Sequence, residues 1–140
     1  MLEEQRLVPI QELAEKREDD AARDLNEARK ALTLRETQLR ELENYREPPA
    51  TAVSAEMLRN REAFRLRLSE AICQQRRAVE LARRNVETQR QRWIGSHHQT
   101  QLYDKLIDRA RTHEQTQQDR RDQRDLDEIA LRMTQARSHS

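Results

Sequence analysis

The chain is predicted to be all-α: an antiparallel two-helix coiled-coil hairpin with a longer second helix. Three observations predict this. The 140 residues are 38% charged, with one Gly and three Pro, and Ala, Glu, Leu, Arg and Gln, all good helix formers, are abundant. A single short breaker, Glu47-Pro48-Pro49-Ala50-Thr51, interrupts the helical pattern; proline cannot continue a helix and keeps the residue before it out of helical space. On both sides of it apolar residues recur at steps of four and three, the spacing that seals one helix on another. That seam, with the scarcity of Gly and Pro, argues against disorder, which high charge and low hydrophobicity would otherwise also fit.

The chain reads as one domain over residues 1–140. Helix one is expected over about 8–46, with Pro9 in a first turn that tolerates it. Its seam runs through Ala21, Leu25, Ala28, Leu32, Leu39 and Leu42, with Arg35 in the gap, and drifts to Ile10, Leu13 and Ala14 toward the start. Asp19-Arg23 and Glu36-Arg40 place acid before base at i,i+4, which supports a helix. The turn is expected over about 47–53.

Helix two is expected over about 54–135, with Ser54 as its N-cap. Its seam is Leu58, Leu68, Ile72, Val79, Ala82, Val86 and Trp93, with the polar residues Gln75 and Gln89 also at seam positions, where they can fix register. If the turn centres near Thr51, equal rise on both helices sets Leu25 opposite Ala78-Val79 and brings Ile10 to Trp93. Trp93 then covers the open end of the seam. A soft point or kink is expected near Gly95, since glycine costs about 1 kcal/mol relative to alanine in a helix. Beyond it no partner helix is expected. Leu102, Tyr103, Leu106, Ile107 and Ala110 still form a stripe, but Arg111 through Asp125 has no apolar residue and should be frayed or solvent-exposed. Leu126, Ile129, Ala130 and Met133 then return at i, i+3, i+4 and i+7, a candidate docking segment. Ser138-His139-Ser140 is expected to be disordered.

The 27 basic and 26 acidic residues leave a net charge of +1 and are interleaved, as on solvated helix faces. A clustered basic excess for nucleic acid is lacking. Met1-Leu2-Glu3-Glu4-Gln5 lacks the basic and apolar regions of a signal peptide, and no apolar run approaches a membrane span; a cytosolic protein without membrane insertion is expected. Cys73 is alone and reads as a small residue beside the seam. No phosphate loop, GxSxG or HExxH is present. His97 and His98 are adjacent, so they point to different faces of a helix rather than to one metal. The carboxylates sit in alternating-charge contexts, without the dry, shaped site that acid–base catalysis needs. No enzyme activity, cofactor or metal is expected.

Near the turn, Gln38, Leu42 and Tyr45 on helix one, and Phe64, Leu68, Ala71 and Gln75 on helix two, form two opposing stripes. Leu42 and Leu68 belong to the seam. Tyr45 and Phe64 flank it and form an aromatic rim suited to a partner.

The sequence resembles the FliJ family, a cytoplasmic component of the bacterial flagellar type III export apparatus. The resemblance lies in Leu13-Ala14-Glu15-Lys16 and Asp20-Ala21-Ala22-Arg23, then in Gln38-Leu39, Leu42 and Tyr45 before the turn. It continues through Phe64, Leu68, Ala71-Ile72 and the Trp93 region to Asp125-Leu126-Asp127-Glu128-Ile129-Ala130. It implies a two-helix coiled coil similar to the central stalk (gamma) subunit of rotary ATPases. Its implied partners are the flagellar export ATPase hexamer, whose assembly and hydrolysis such proteins promote, the export gate protein FlhA, and flagellar substrate chaperones. The gate pattern falls on Gln38, Leu42, Tyr45, Phe64, Leu68, Ala71 and Gln75, although Gln75 stands where a basic or aromatic ring is expected. Leu126, Asp127, Glu128, Ile129 and Met133 are assigned to the ATPase ring or to docking. The expected state is a monomer, cytoplasmic and peripheral at the inner face of the cell membrane. The alternatives are the stalk protein of a virulence type III secretion system, or an unrelated self-associating coiled coil.

Overall fold

A computed structural model of the chain describes residues 2–45 and 54–138. It contains two helices that pack against each other, α1 (Leu2–Glu43) and the longer α2 (Ala55–Ser138), and no strand among the described residues. The expected turn at Glu47–Val53 lies outside the described residues. Helix one closes where Asn44 N–H donates to the Arg40 carbonyl at 2.9 Å and Tyr45 N–H to that of Leu42 at 3.3 Å. Helix two opens on Ser54, whose Oγ accepts from Met57 N–H at 3.1 Å. This is the expected N-cap, and it satisfies one of the helix's orphan donors.

The chain divides into two compact units, Glu18–Gly95 and Met1–Arg17 with Ser96–Ser140. In the first unit Leu25, Ala28 and Val79 are buried. Ala21, Leu32, Leu39 and Leu42 of α1, and Leu68, Ile72, Ala82, Val86 and Trp93 of α2, are half-buried along the same heptad lines. Two helices have no third layer, so most seam residues keep one side in water. Polar contacts bridge the pair: Gln75 reaches the Arg35 carbonyl, and Arg76 pairs with Glu43 at 3.5 Å. Leu58, read as a seam residue, is 52% exposed. The reason is register. Tyr45 meets Phe64, roughly nine residues into α2, so about 14 Å of that helix precedes this ring contact.

The second unit corrects the sequence reading most. Residues after Gly95 do have a partner helix, the first turns of α1, which begins at Leu2 rather than near Val8. Ala14, Thr100, Ile107 and Ala110 are buried between them. Gln11 Nε2 donates to Asp104 Oδ1, and Arg111 Nε pairs with Glu4 at 2.6 Å. Gln11, not Ile10, thus looks across the seam, toward Asp104. Trp93 is a half-buried residue of the first unit's seam. Ile10 and Leu13, expected in the seam, are 44% and 48% exposed; Leu7, Gln11 and Ala14 continue the heptad instead. Pro9 lies inside the helix, not in its first turn, and denies the Gln5 carbonyl its partner.

Helix two is continuous through Gly95. A Cβ there would meet nothing within 4 Å, so no packing demands the glycine. From Arg111 to Ser138 the helix is exposed except at Glu114. The stretch expected to be frayed or solvent-exposed is exposed and helical. Its polar side chains bond along the helix, Gln115 to Asp119 and Gln118 to Asp122 at 3.0 Å, and Arg132 to Glu128 at 2.8 Å. Such i,i+4 pairs support a helix that buries nothing. Ser138 closes α2; His139 and Ser140 lie outside the described residues.

Candidate partner-binding surfaces

Within the Glu18–Gly95 unit the two predicted stripes come together. Tyr45 and Phe64 place their ring centroids 5.3 Å apart with planes inclined at 47°, a tilted pairing within the favoured range for aromatic quadrupoles. They remain 51% and 38% exposed. At the other end of the stripes Gln75 Nε2 donates to Gln38 Oε1 at 3.1 Å. Leu42, Leu68 and Ala71 are half-buried between these ends. All seven predicted residues therefore belong to one patch, with an apolar floor, an aromatic end and an amide end. A shallow groove along α2, lined by Arg65, Leu68, Ser69, Ile72, Cys73 and Arg76, runs beside it. Sequence reasoning missed this basic border; Arg65 and Arg76 were legible only as members of the alternating charge pattern.

In the other unit Leu126, Ile129 and Met133 are 61%, 50% and 63% exposed. They lie on one helix face at i, i+3 and i+7, with Asp127 and Glu128 exposed beside them. Leu131, 59% exposed, was not singled out because it falls off that spacing. Asp127 accepts from Gln123 and Glu128 from Arg132, at 3.1 and 2.8 Å. The segment thus presents aliphatic side chains on a helix already formed.

Charge on these helices is local. The Gln91 amide and Arg90 hold the Glu87 carboxyl below its usual range, and the Glu4 carboxylate raises the Arg111 guanidinium. Arg23 pairs with Asp20 at 3.7 Å, one residue from the expected Asp19. His97 and His98 hold ring centroids 6.4 Å apart. Among the described residues no cluster of three or more His, Cys, Asp or Glu could hold a metal, and no helix is long and apolar enough to cross a membrane. Cys73 is exposed.

Comparison with curated proteins and with solved structures gives no match. A family model described as "Flagellar FliJ protein" matches residues 3–139, which include both helices and the two candidate surfaces. A pair of packed helices is the fold the sequence resemblance implied, and the longer second helix is the one expected from the position of the breaker. The chain accordingly belongs to the FliJ family and is a flagellar export-related protein.

Proposed function

We propose that the protein is a stalk-like coiled coil of the flagellar export apparatus, binding the export ATPase ring and promoting its assembly and activity. On this reading it contacts the export gate protein FlhA through Gln38, Leu42, Tyr45, Phe64, Leu68, Ala71 and Gln75. The exposed Tyr45–Phe64 pair carries the reading. Two rings left in water on a charge-rich surface are the kind of rigid apolar anchor around which interface hot spots form. The Leu126–Met133 face, with Asp127 and Glu128 beside it, is assigned to the ATPase ring. A helix that buries nothing in its own chain but carries aligned aliphatics fits a groove on a partner. The protein also escorts flagellar substrate chaperones, has no catalytic activity of its own, acts as a monomer, and works in the cytoplasm at the inner face of the membrane.

The test is reconstitution with the flagellar export ATPase and, separately, with the cytoplasmic part of FlhA. Faster ATP hydrolysis, more ring formation and saturable FlhA binding are expected. Absence of stimulation and of association in both mixtures would overturn the proposal. Light scattering checks the monomer; a dimer that persists on dilution counts for the self-associating alternative.

A further inference from the structure

Helix two carries two glutamines on its seam, and their surroundings differ. Half-buried Gln75 uses its amide nitrogen twice across the helix pair: Nε2 donates to the Arg35 backbone carbonyl at 2.9 Å and to Gln38 Oε1 at 3.1 Å. Arg35 Nη1 lies 3.4 Å from the same Gln38 oxygen and donates to it. Gln89, two heptads further on, turns its Nε2 to Asn85 Oδ1 of its own helix at 3.4 Å. Its Oε1 is buried without a hydrogen-bond partner among the described residues.

The difference bears on register. The aliphatic seam discriminates poorly between heptad registers, because Leu25, Leu32 and Leu39 repeat every seven residues and a slide of one heptad exchanges one leucine for another. A turn centred at Thr51 would set Val79 opposite Leu25 and, by the same count, Gln75 opposite Ala28, whose methyl offers an amide nothing. The observed pairing lies roughly one heptad away from that arrangement. There Gln75 meets a backbone carbonyl and an amide oxygen, and Phe64 meets Tyr45. The carbonyl bond has a counterpart at either register, but the amide bond to Gln38 Oε1 does not, because the same slide puts Ala31 in its place.

We infer that Gln75 is the register lock of the hairpin. It is a positioning residue that, through Arg35 and Gln38, seats Phe64 against Tyr45. Gln89 has no such role. The assignment holds whether or not the aromatic patch contacts the export gate, because its readout is the alignment of the two helices.

The experiment uses the full chain with Cys73→Ser and spin labels on cysteines at Lys30 and Arg83, both exposed, and measures their separation by pulsed electron paramagnetic resonance. The parent gives one narrow distance. Gln89→Leu gives the same distance. Gln75→Leu adds a second population in which α2 is displaced by one heptad, about 10 Å along the axis, with helical content unchanged by circular dichroism. Leu68→Gln/Gln75→Leu moves the amide one heptad toward the turn while keeping the seam composition; it makes the displaced population the major one, and it serves as the test if Gln75→Leu does not fold. A single parental distance in Gln75→Leu, or in the double variant, overturns the inference. So does an equal splitting of registers by Gln89→Leu.

Discussion

Tyr45 and Phe64 make their ring contact at 5.3 Å between helices that are otherwise joined there by half-buried leucines. Because both rings stay partly in water, the pairing contributes modestly to folding, about 0.5–1.5 kcal/mol beyond the area it covers. Its geometry is nevertheless fixed. A rigid, wet aromatic pair is well placed to be covered by something else.

Phe64→Ala and Tyr45→Ala should therefore separate binding from folding. Each is expected to lower stability by no more than about 3 kcal/mol, the ring pairing together with the partly covered ring area, read from chemical denaturation. Each should weaken FlhA binding by about 2 kcal/mol or more, the loss typical of an interface anchor, read by titration calorimetry. Unchanged FlhA affinity in both variants would remove the patch from the proposed interface.

Ile107 is 2% exposed and is the largest fully apolar side chain buried in its unit. Ile107→Ala should cost about 2–4 kcal/mol through lost burial and the cavity left behind. Leu34→Ala, at a site 57% exposed, should change stability by no more than about 0.5 kcal/mol. Thermal unfolding followed by circular dichroism compares them. Equal effects would mean that helix one does not pack on residues 100–110 in solution.

Pro9 stands inside α1, and Pro9→Ala restores the N–H that the Gln5 carbonyl lacks. The variant should be more stable, by up to about 3 kcal/mol. Amide hydrogen exchange over residues 2–14 should slow correspondingly. Loss of stability would point to a specific use for the proline.

The Glu87 carboxyl is held below its usual range chiefly by the Gln91 amide, with Arg90 assisting. A depressed folded-state value means that its contribution is complete above the unfolded carboxylate range and is lost as pH falls through the folded value. Glu87→Gln should melt below the parent at pH 7, and the two melting points should converge under acid conditions. The group is solvent-exposed, so the gap should be small and should shrink further with salt. A gap that persists at low pH would show that the effect is not electrostatic.

Leu126→Asp/Ile129→Asp should leave the melting point unchanged, because both side chains are at least half exposed. The same pair should abolish stimulation of the export ATPase. Full stimulation by the variant, measured as phosphate release, would remove this face from the ring-binding proposal.

Much of the architecture could be read from periodicity. The heptad from Ala21 to Leu42 and that from Leu68 to Trp93 are buried or half-buried along the expected lines, and Ser54 caps the second helix. Register was harder. It depends on how much of α2 precedes the contact with helix one, and in the run Ala55–Ala63 the apolar Leu58 gave a misleading cue, since it is 52% exposed. The pairing of Leu2–Arg17 was missed for a related reason. Its inner face, Leu7, Gln11 and Ala14, is small or polar, while the larger Ile10 and Leu13 face outward, so hydropathy pointed to the wrong side of the helix. Gln11–Asp104 and Glu4–Arg111 join residues about a hundred positions apart, and such long-range polar pairs leave no local signature. The aromatic patch was legible because Tyr45 and Phe64 flank a short breaker; the bridging role of Gln75 required seeing what its amide touches.

The exposed helix from residue 115 onward is held by its own side-chain pairs, not by burial. Its local opening therefore costs little and leaves the folded pairs of either unit undisturbed. Backbone amides there should exchange quickly in the free protein and slow when something lies on Leu126 and Ile129. The chain thus carries its own occupancy gauge, a terminal segment whose exchange rate reports whether the protein is engaged.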